Sequence, residues 1–372
     1  MPTVLTQPLP ALNFARNPII ASFTNNTTAP SARTESVSVE IQVWVEPIYN
    51  SGTFVLQSEF SNPYNIASGQ ASFNISRAIL PTFNNLVPNA TNENFYTISG
   101  IVKRFKLRAR DVVGGIPEGS FTETAIFHAI HAGTSKEEGE KDLSDLAYVF
   151  LATRKTNKRI HLDEKIHIEF LPLVSGNASI NVNFTTFNSS DTFTMGTTAV
   201  TAFVPQGINV PLPNRSAIKT FSVEIIGLAG SRDIMEFEQV TYPVFKFRQL
   251  FYRNSMGGFE TLGLIGLNEF QSTTKSDIFE TEESVNPSVS FGNSIAFNQR
   301  TTETFILRSG FLSPEDIKKC IDLPLRNEAF LFEDNLMKKL FIQPGTFKTF
   351  KDRENLFSLD FQARLAYSNH SI

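Results

Sequence analysis

Strict alternation of apolar and polar residues is the feature of this sequence that most limits its fold. In VSVEIQVWV, residues 37–45, a valine or isoleucine occupies every odd position, and the even positions hold polar residues or Trp44. Successive side chains of a β-strand point to opposite faces, so this run predicts a strand with one buried face. The same pattern recurs in ASFNIS (71–76), KRFKLRARD (103–111) and LFSLDFQARLA (356–366).

The spacing of such runs predicts a mainly β protein with several domains. Short strands separated by turn clusters favour one β-sandwich over residues 36–132 and a second over 146–243. The segment between them, 133–145, is polar and charged and is expected to be a linker. Residues 244–372 are expected to form a β-rich α+β domain with one short helix. Residues 1–35, rich in Pro, Asn and Thr, are expected to be an extended N-terminal arm that clamps a neighbour.

The short helix is predicted from SPEDIKKCI, residues 313–321. Ser313 is a favourable N-cap and Pro314 suits the first helical position. Glu315 and Asp316 place negative charge in the first turn, where the helix dipole favours it. The helix is therefore expected to begin directly after Ser313.

Composition argues against several classes of protein. The 372 residues carry 33 basic and 37 acidic side chains, a formal net charge of −4, which gives no case for a nucleic-acid-binding chain. Cys320 is the one cysteine, so no intrachain disulfide is expected. No apolar run approaches the roughly 20 residues of a membrane-spanning helix, and no secretion signal is recognised. Neither nucleic-acid binding nor membrane insertion is therefore expected.

A double glycine in FRQLFYRNSMGGFETLGLIG, residues 247–266, raises the question of a phosphate-binding loop. Such a loop needs glycines at set spacings, a following helix and often a lysine. The pair Gly257-Gly258 lacks that spacing, and the residues after it form a poor helix. Asn254, Gly257 and Gly258 are turn formers, which predicts a hairpin. The hairpin is expected either to buttress the C-terminal domain or to protrude as a contact loop, and these three residues are candidate interaction residues.

No catalytic or metal-binding constellation can be assembled from the sequence. The two histidines of HAIH, residues 128–131, lack the companions of a zinc site. His167 lies on an alternating strand and is expected at the surface. Cys320 has no nucleophile signature and is expected to pack as a neutral thiol. Because no acid and base pair can be selected either, no enzyme, cofactor or metal is expected.

One predicted strand carries its positive charges in a regular pattern. In KRFKLRARD, Arg104, Lys106, Arg108 and Arg110 share one face, and apolar residues take the other. These four cations are candidate interaction residues for an acidic surface. The alternative is an ordinary solvated sheet face.

Four motifs occur in an order that resembles a known family. They are FARNPII (14–20), GQASFNIS (69–76), FYRNSMGGFETL (251–262) and the C-terminal run that starts at RSGFLSPEDIKK (308–319). The chain resembles tail-associated structural proteins from phages and prophages of Bacteroidetes. The resemblance implies a virion structural protein of the tail tip or baseplate, made in the bacterial cytoplasm. It implies partners that are copies of itself and other tail proteins, and it supplies no catalytic residues.

Two rival functions stay open. The chain could be a module or adhesin that recognises a glycan or protein on the host surface, although one Trp and seven Tyr offer few rings for stacking on sugars. An enzyme that degrades polysaccharide would need a cleft with two facing carboxylates. The expectation carried forward is a structural protein that acts by multimeric assembly.

Overall fold

The computed structural model describes a mainly β chain, as the alternation predicts. The described residues are 4–6, 8–24, 37–65, 67–83, 86–133, 146–186, 189–212, 215–241, 246–280, 294–320, 322–323, 328–346 and 357–366. Nearly all of the predicted linker, 134–145, lies outside these residues.

The first unit is a sandwich of two sheets. Its elements are β1 (Val4–Leu5), β2 (Leu12–Phe14), β3 (Ile20–Thr24), β4 (Val37–Val45), β5 (Val55–Pro63), β6 (Gln70–Asn74), α1 (Ser76–Ile79), a 3-10 turn (Leu80–Thr82), β7 (Tyr96–Thr97), β8 (Val102–Val113), β9 (Ile116–Glu123) and β10 (Phe127–Ile130). The sheet β1-β3-β6 covers the sheet β2-β10-β8-β4-β5, on which β9 also pairs with β8. The odd-numbered residues of β4 are buried, as predicted, and pack against Phe23 and Phe73 of the smaller sheet.

The N-terminal segment differs from the predicted arm. Strand β2 pairs in parallel with β10, and β3 pairs with β6, so residues 12–24 belong to the two sheets of the first unit. Ala21 and Phe23 alternate with polar residues and are fully buried. The apolar residues of this segment are enough to complete the sandwich, and burial holds it in place.

The second unit is also a pair of sheets around one core. It contains β11 (Tyr148–Phe150), β12 (Lys158–His161), β13 (Ile166–Pro172), β14 (Gly176–Thr186), β15 (Ser190–Val200), β16 (Gln206–Val210), a 3-10 turn (Arg215–Ala217), β17 (Ile218–Ile226) and β18 (Ile234–Val240). The order is β11-β13-β16-β7 in one sheet and β12-β18-β17-β14-β15 in the other. Strand β7 reaches over from the first unit to pair with β16.

The third unit is one antiparallel sheet with a short helix. It contains β19 (Arg248–Arg253), β20 (Phe259–Leu264), β21 (Glu269–Glu280), β22 (Ser294–Leu312), α2 (Pro314–Lys319), β23 (Ala329–Glu333), β24 (Leu336–Ile342) and β25 (Phe357–Leu365), in the order β20-β19-β23-β24-β25-β22-β21. The predicted helix start is confirmed, since the Ser313 hydroxyl accepts a hydrogen bond from the Asp316 backbone N–H at 3.1 Å. Leu359, Phe361 and Ala363 of β25 are buried as predicted.

The three units share apolar clusters where they meet. One cluster joins Ile101 and Ile130 of the first unit, Leu151 and Leu171 of the second, and Met256 of the third. Burying each of these side chains contributes about 1.5–3 kcal/mol to stability. The three units therefore contact one another directly.

Candidate functional site

The four cations of the basic strand β8 lie on one face of the sheet, as predicted. Each of them forms an ion pair or a hydrogen bond with a residue of the same unit. Lys106 Nζ and Arg108 Nε lie 2.7 and 2.8 Å from the two carboxylate oxygens of Glu123. Arg110 Nε lies 2.7 Å from Glu40 Oε2. The hydrogen bond from Lys106 holds the pKa of Glu123 below its ordinary value, and Arg108 adds to the effect. Lys106, Arg108 and Arg110 are therefore paired with carboxylates of their own sheet.

Neighbouring side chains make further contacts with the cations of β8. Arg104 Nη1 donates to Asn50 Oδ1 at 2.7 Å. The guanidinium of Arg108 lies 4.5 Å from the centre of the Trp44 ring, and that of Arg110 lies 4.2 Å from the Phe121 ring. Cations placed over aromatic faces are attracted to them. These contacts agree with the alternative of an ordinary solvated sheet face. An external partner for Arg104, Lys106, Arg108 and Arg110 stays a prediction.

The double-glycine segment is the predicted hairpin, formed by β19 and β20. Its turn is closed by the Asn254 N–H, which donates to the Gly258 carbonyl at 2.9 Å, and by the Gly257 N–H, which donates to the Asn254 carbonyl at 3.2 Å. Gly257 has φ +88°, a left-handed conformation that favours glycine. The phosphate-loop reading is therefore not needed to explain the two glycines.

The turn is buried at the meeting point of the three units. A Cβ on Gly258 would lie 2.4 Å from the Leu151 carbonyl oxygen, and one on Gly257 would lie 2.8 Å from the His131 carbonyl oxygen. The Asn254 side chain is fully buried and donates to the Leu151 carbonyl at 2.8 Å. Asn254, Gly257 and Gly258 thus contact their own chain. The prediction of a protruding contact loop is wrong because the turn is buried, and the buttress role stays a prediction.

Charged groups hold the flanks of this turn. The Arg253 side chain is fully buried, and its Nη1 lies 2.8 Å from Glu328 Oε2 while its Nε donates to the Gly257 carbonyl at 3.1 Å. The backbone N–H of Ser255 donates to Asp322 Oδ2 at 2.6 Å. We call the turn of residues 253–259 with these partners the junction turn.

A buried ionic cluster lies one residue beyond the junction turn. Glu260 Oε1 accepts from the backbone N–H groups of Thr153 and Arg154 at 3.0 and 2.8 Å. Lys158 Nζ donates to the Thr261 hydroxyl at 3.0 Å, and the Arg154 guanidinium donates to the Thr261 carbonyl. The side chains of Arg154, Lys158, Glu260 and Thr261 are almost completely buried. The cluster connects β12 and the segment before it to β20, and so ties the second unit to the third.

Burial shifts the pKa values in this cluster in opposite directions. The pKa of Lys158 is lowered to about 8, chiefly by burial and also by the nearby Arg154. Burial alone would raise the pKa of Glu260, but Arg154 and Lys158 outweigh it and the pKa lies below its ordinary value. Burial raises the pKa of the Cys320 thiol, which fits the predicted packing role for this residue.

A second buried network corrects the prediction for His167. Asn209 Nδ2 donates to the carbonyls of Asn89 and Asn92, both at 2.8 Å, so its Oδ1 faces His167 Nδ1 at 2.9 Å as an acceptor. His167 Nε2 lies 3.1 Å from Glu169 Oε1, so both ring nitrogens have partners inside the protein. The surface prediction for His167 is wrong because β16 and the 89–92 loop cover this side of its strand.

The most exposed part of the described chain is a two-stranded ribbon that the sequence did not single out. Strands β21 and β22 pair from Glu269 opposite Ile306 to Glu280 opposite Ser294. Strand β25 follows β22 only as far as Thr304, so beyond that point the described pairing is between β21 and β22 alone. Ten residues of β21, 271–280, extend from the body by about 30 Å, at about 3.3 Å per residue. We call this part of the hairpin, residues 271–280 and 294–303, the ribbon.

The side chains of β21 are exposed over its described length from Glu269 to Phe279. Large apolar side chains are among them: the exposed fractions are 52% for Phe270, 63% for Ile278 and 58% for Phe279, with 46% for Phe297 on β22. Asp277 is the register partner of Phe297, so Phe297 shares a face with Phe279. An isolated two-stranded hairpin is at best marginally stable in water. The described side chains of the ribbon therefore gain little stability from burial.

The sequence carried only a weak signal for the ribbon. EFQSTTKSDIFE, residues 269–280, is rich in β-formers but has no alternating apolar face. A long run of this kind between two turn regions is the signal that could have found it.

A polar depression opens on the second unit. It has a volume of about 530 Å³ and lies at one end of the sheet β12-β18-β17-β14-β15. Asn157, Asn183, Asp191 and Glu236 line it together with Phe184. Amides, carboxylates and one ring can hydrogen-bond and stack against a polar ligand.

The described residues give no sign of a metal centre or a membrane anchor. They contain no group of three or more His, Cys, Asp or Glu side chains placed to hold a metal ion. The helices in this part of the chain are short, and none has the length and apolarity for a bilayer crossing.

Comparisons with known proteins add little. No family model matches the sequence, and a search of curated proteins finds no match. Among solved structures, the chain is similar to trypsin-activated alpha-2-macroglobulin from Escherichia coli, with 9% identity and a TM-score of 0.23 over 98% of this chain. The chain spans 24% of that protein's length. A likeness at this level carries no information on function.

Proposed function

We propose that this chain is a structural protein of a bacteriophage tail, in the tail tip or baseplate region, that acts by multimeric assembly and not by catalysis. The observation that carries the assembly role is the ribbon. Its two strands leave Ile278, Phe279 and Phe297 exposed, and its outer strand β21 is the terminal strand of its sheet. Exposed apolar side chains on the terminal strand of a sheet are the features of a docking element. The tail setting rests on the family resemblance.

The body of the molecule supports the same role. The junction turn and the Glu260 cluster join the three units through buried hydrogen bonds. Buried polar networks of this kind rigidify the elements that they connect. A rigid body with one projecting ribbon suits a subunit that holds its neighbours at fixed positions.

The proposed partners are copies of the chain and other tail proteins, in the virion. Nucleic acid is not among them, because Lys106, Arg108 and Arg110 pair with carboxylates of their own sheet. The proposed place of synthesis is the bacterial cytoplasm.

The test is incorporation into particles. A phage or prophage that encodes the chain is induced, its particles are purified, and the chain is sought by mass spectrometry and by antibody labelling in the electron microscope. The proposal predicts label at one end of the tail. Complete particles that lack the chain would contradict it. A chain with the ribbon shortened serves as the matched variant, and it should be depleted from the particles.

The polar depression favours a second candidate, recognition of a host-surface glycan. Asp191 and Glu236 can accept hydrogen bonds from sugar hydroxyls, and Phe184 offers a ring for stacking. Binding of purified host polysaccharide to the full chain, measured by calorimetry, tests it. Loss of binding in Asp191→Ala, with binding kept in Asp277→Ala on the ribbon, would support this candidate. Absence of binding to host polysaccharides would end it.

A further inference from the structure

We propose that the ribbon docks onto the ribbon of a second copy of this chain, through antiparallel pairing of the two β21 strands about a two-fold axis at Ser276. This inference rests on the proposed assembly function and names the partner of the ribbon. The paired ribbons would form a four-stranded antiparallel sheet with the order β22-β21-β21-β22.

The terminal position of β21 in the described sheet makes such pairing geometrically straightforward. In the described part of the sheet, β21 is bonded to β22 on one side and is the last strand on the other. The register shift in this hairpin lies between Lys275 and Asp277, where Asn298 and Gln299 of β22 face the single residue Ser276. The extra residue is on β22, so β21 itself continues without a bulge. A straight, terminal strand is the kind of edge that accepts another strand.

The charges of β21 select a copy of itself as the partner. An antiparallel pair centred on Ser276 places Lys275 of each copy opposite Asp277 of the other, which gives two pairs of opposite charge. The same register places Thr274 opposite Ile278 and Thr273 opposite Phe279. Threonine paired with β-branched or aromatic residues is favourable across strands. The pairing would also cover part of the exposed Ile278 and Phe279 side chains.

The neighbouring symmetric registers are disfavoured by the same charges. An axis one residue earlier would place the two Lys275 side chains opposite each other, and an axis one residue later would do the same for the two Asp277 side chains. Like charges directly opposite each other destabilise a sheet. The sequence KSD at positions 275–277 is therefore self-complementary in one register centred on a residue. This is an isologous, closed contact, which yields a dimer and not a fibre.

A symmetric cross-link tests the register. In a dimer centred on Ser276, the two Ser276 Cα atoms lie about 4.5–5.5 Å apart, within the reach of a disulfide. The full-length Ser276→Cys variant should form a covalent dimer under mild oxidation. The matched control is Thr273→Cys, whose two copies would lie six residues apart along the strands, about 20 Å, and should stay monomeric on a non-reducing gel. The native Cys320 is buried and is the same in both variants.

Charge reversal tests the pairing without a cysteine. Lys275→Asp alone, or Asp277→Lys alone, replaces both opposite-charge pairs with like charges and should weaken dimerisation by about tenfold or more in analytical ultracentrifugation. The double variant Lys275→Asp/Asp277→Lys should restore it. Equal dimerisation of the wild type and both single variants, or equal cross-linking at Thr273→Cys and Ser276→Cys, would overturn the pairing.

The outcomes separate this inference from the proposed function. If the chain is incorporated into particles but neither the cross-link nor the charge dependence is observed, the ribbon pairing is wrong and the assembly role stands. If the chain dimerises as described but is absent from complete particles, the pairing stands and the tail function is wrong.

Discussion

Two hairpins of the same sheet differ in exposure to solvent. The β19–β20 hairpin is enclosed, and its junction turn is in contact with Leu151 and His131 of the other units. The β21–β22 hairpin extends away from the body, and every described side chain of β21 is exposed. The first hairpin carries glycines where other backbone comes within contact distance, whereas the second carries Thr, Ser and exposed Phe. The comparison shows that Gly257 and Gly258 serve internal packing. Residues 269–279, which have no alternating apolar pattern, supply the exposed surface.

The largest difference should appear when one glutamate of each hairpin is removed. Glu260 accepts hydrogen bonds from Thr153 and Arg154 inside the protein, so Glu260→Ala leaves buried donors and cations without their carboxylate. Breaking a buried ion pair costs about 3–5 kcal/mol. The matched change is Glu269→Ala, which removes an exposed ion pair to Arg308 worth about 0–1 kcal/mol. Urea unfolding of both variants measures the contrast.

Similar unfolding midpoints for the two variants would contradict the contrast between the hairpins. If Glu260→Ala fails to fold, Glu260→Gln provides the milder comparison, because it keeps the shape and removes the charge. Its unfolding midpoint should still fall further than that of Glu269→Gln.

The next effect is a pH dependence that belongs to the buried side of the comparison. The pKa of Lys158 is lowered to about 8 in the folded chain, from an ordinary value of 10.5. Between these values the unfolded chain holds a proton that the folded chain has released, so stability rises with pH by up to about 1.4 kcal/mol per pH unit. Below about pH 8 both states are protonated, and the contribution to the slope disappears. Lys158→Met should remove this rise between pH 8 and 10.5.

The measurement is the free energy of unfolding from pH 7 to 10.5 for both chains. Subtracting the variant's curve from that of the wild type isolates Lys158 from other titrating groups. A difference that is flat over this range would show that Lys158 is not buried as a low-pKa lysine.

A smaller effect should follow from one substitution to alanine in each hairpin. In Gly258→Ala the new Cβ would lie 2.4 Å from the Leu151 carbonyl oxygen, so backbone must move. Overpacking of this kind costs about 1–3 kcal/mol. In the ribbon, Thr273→Ala changes an exposed side chain and should stay within about 0.5 kcal/mol of the wild type. Thermal unfolding of the two variants compares them, and an unchanged midpoint for Gly258→Ala would argue that the junction turn is loosely packed.

The fold could be predicted from the sequence where a strand has one buried face. Val37–Val45 and Phe357–Leu365 follow the alternation that such burial imposes, and Ser313 caps its helix as its side chain predicts. The prediction failed where a strand is covered on both sides. His167 lies on β13, which is buried throughout, because Asn209 of a strand distant in sequence supplies its hydrogen-bond partner.

The candidate interaction residues were predicted less well, for a related reason. The sequence shows that Asn254, Gly257 and Gly258 form a turn, but only the packing of three units decides whether the turn is exposed. Likewise, the face of Arg108 and Arg110 is readable from the period of two, while the position of Glu40 and Glu123 depends on strand register. The ribbon was not predicted because the side chains of β21 are exposed on both faces, so no periodic pattern is imposed on this strand.

The central claim, that the ribbon and not the junction turn is the assembly element, can be tested by removing the ribbon alone. Gln271 and Thr304 are register partners at its base, so residues 272–303 can be replaced by Asn-Gly, a favourable hairpin turn. The shortened chain should unfold at nearly the same temperature as the wild type, because the removed side chains that are described are mostly exposed. In analytical ultracentrifugation it should stay monomeric at concentrations where the full chain forms larger species. Assembly equal to that of the full chain would contradict the account.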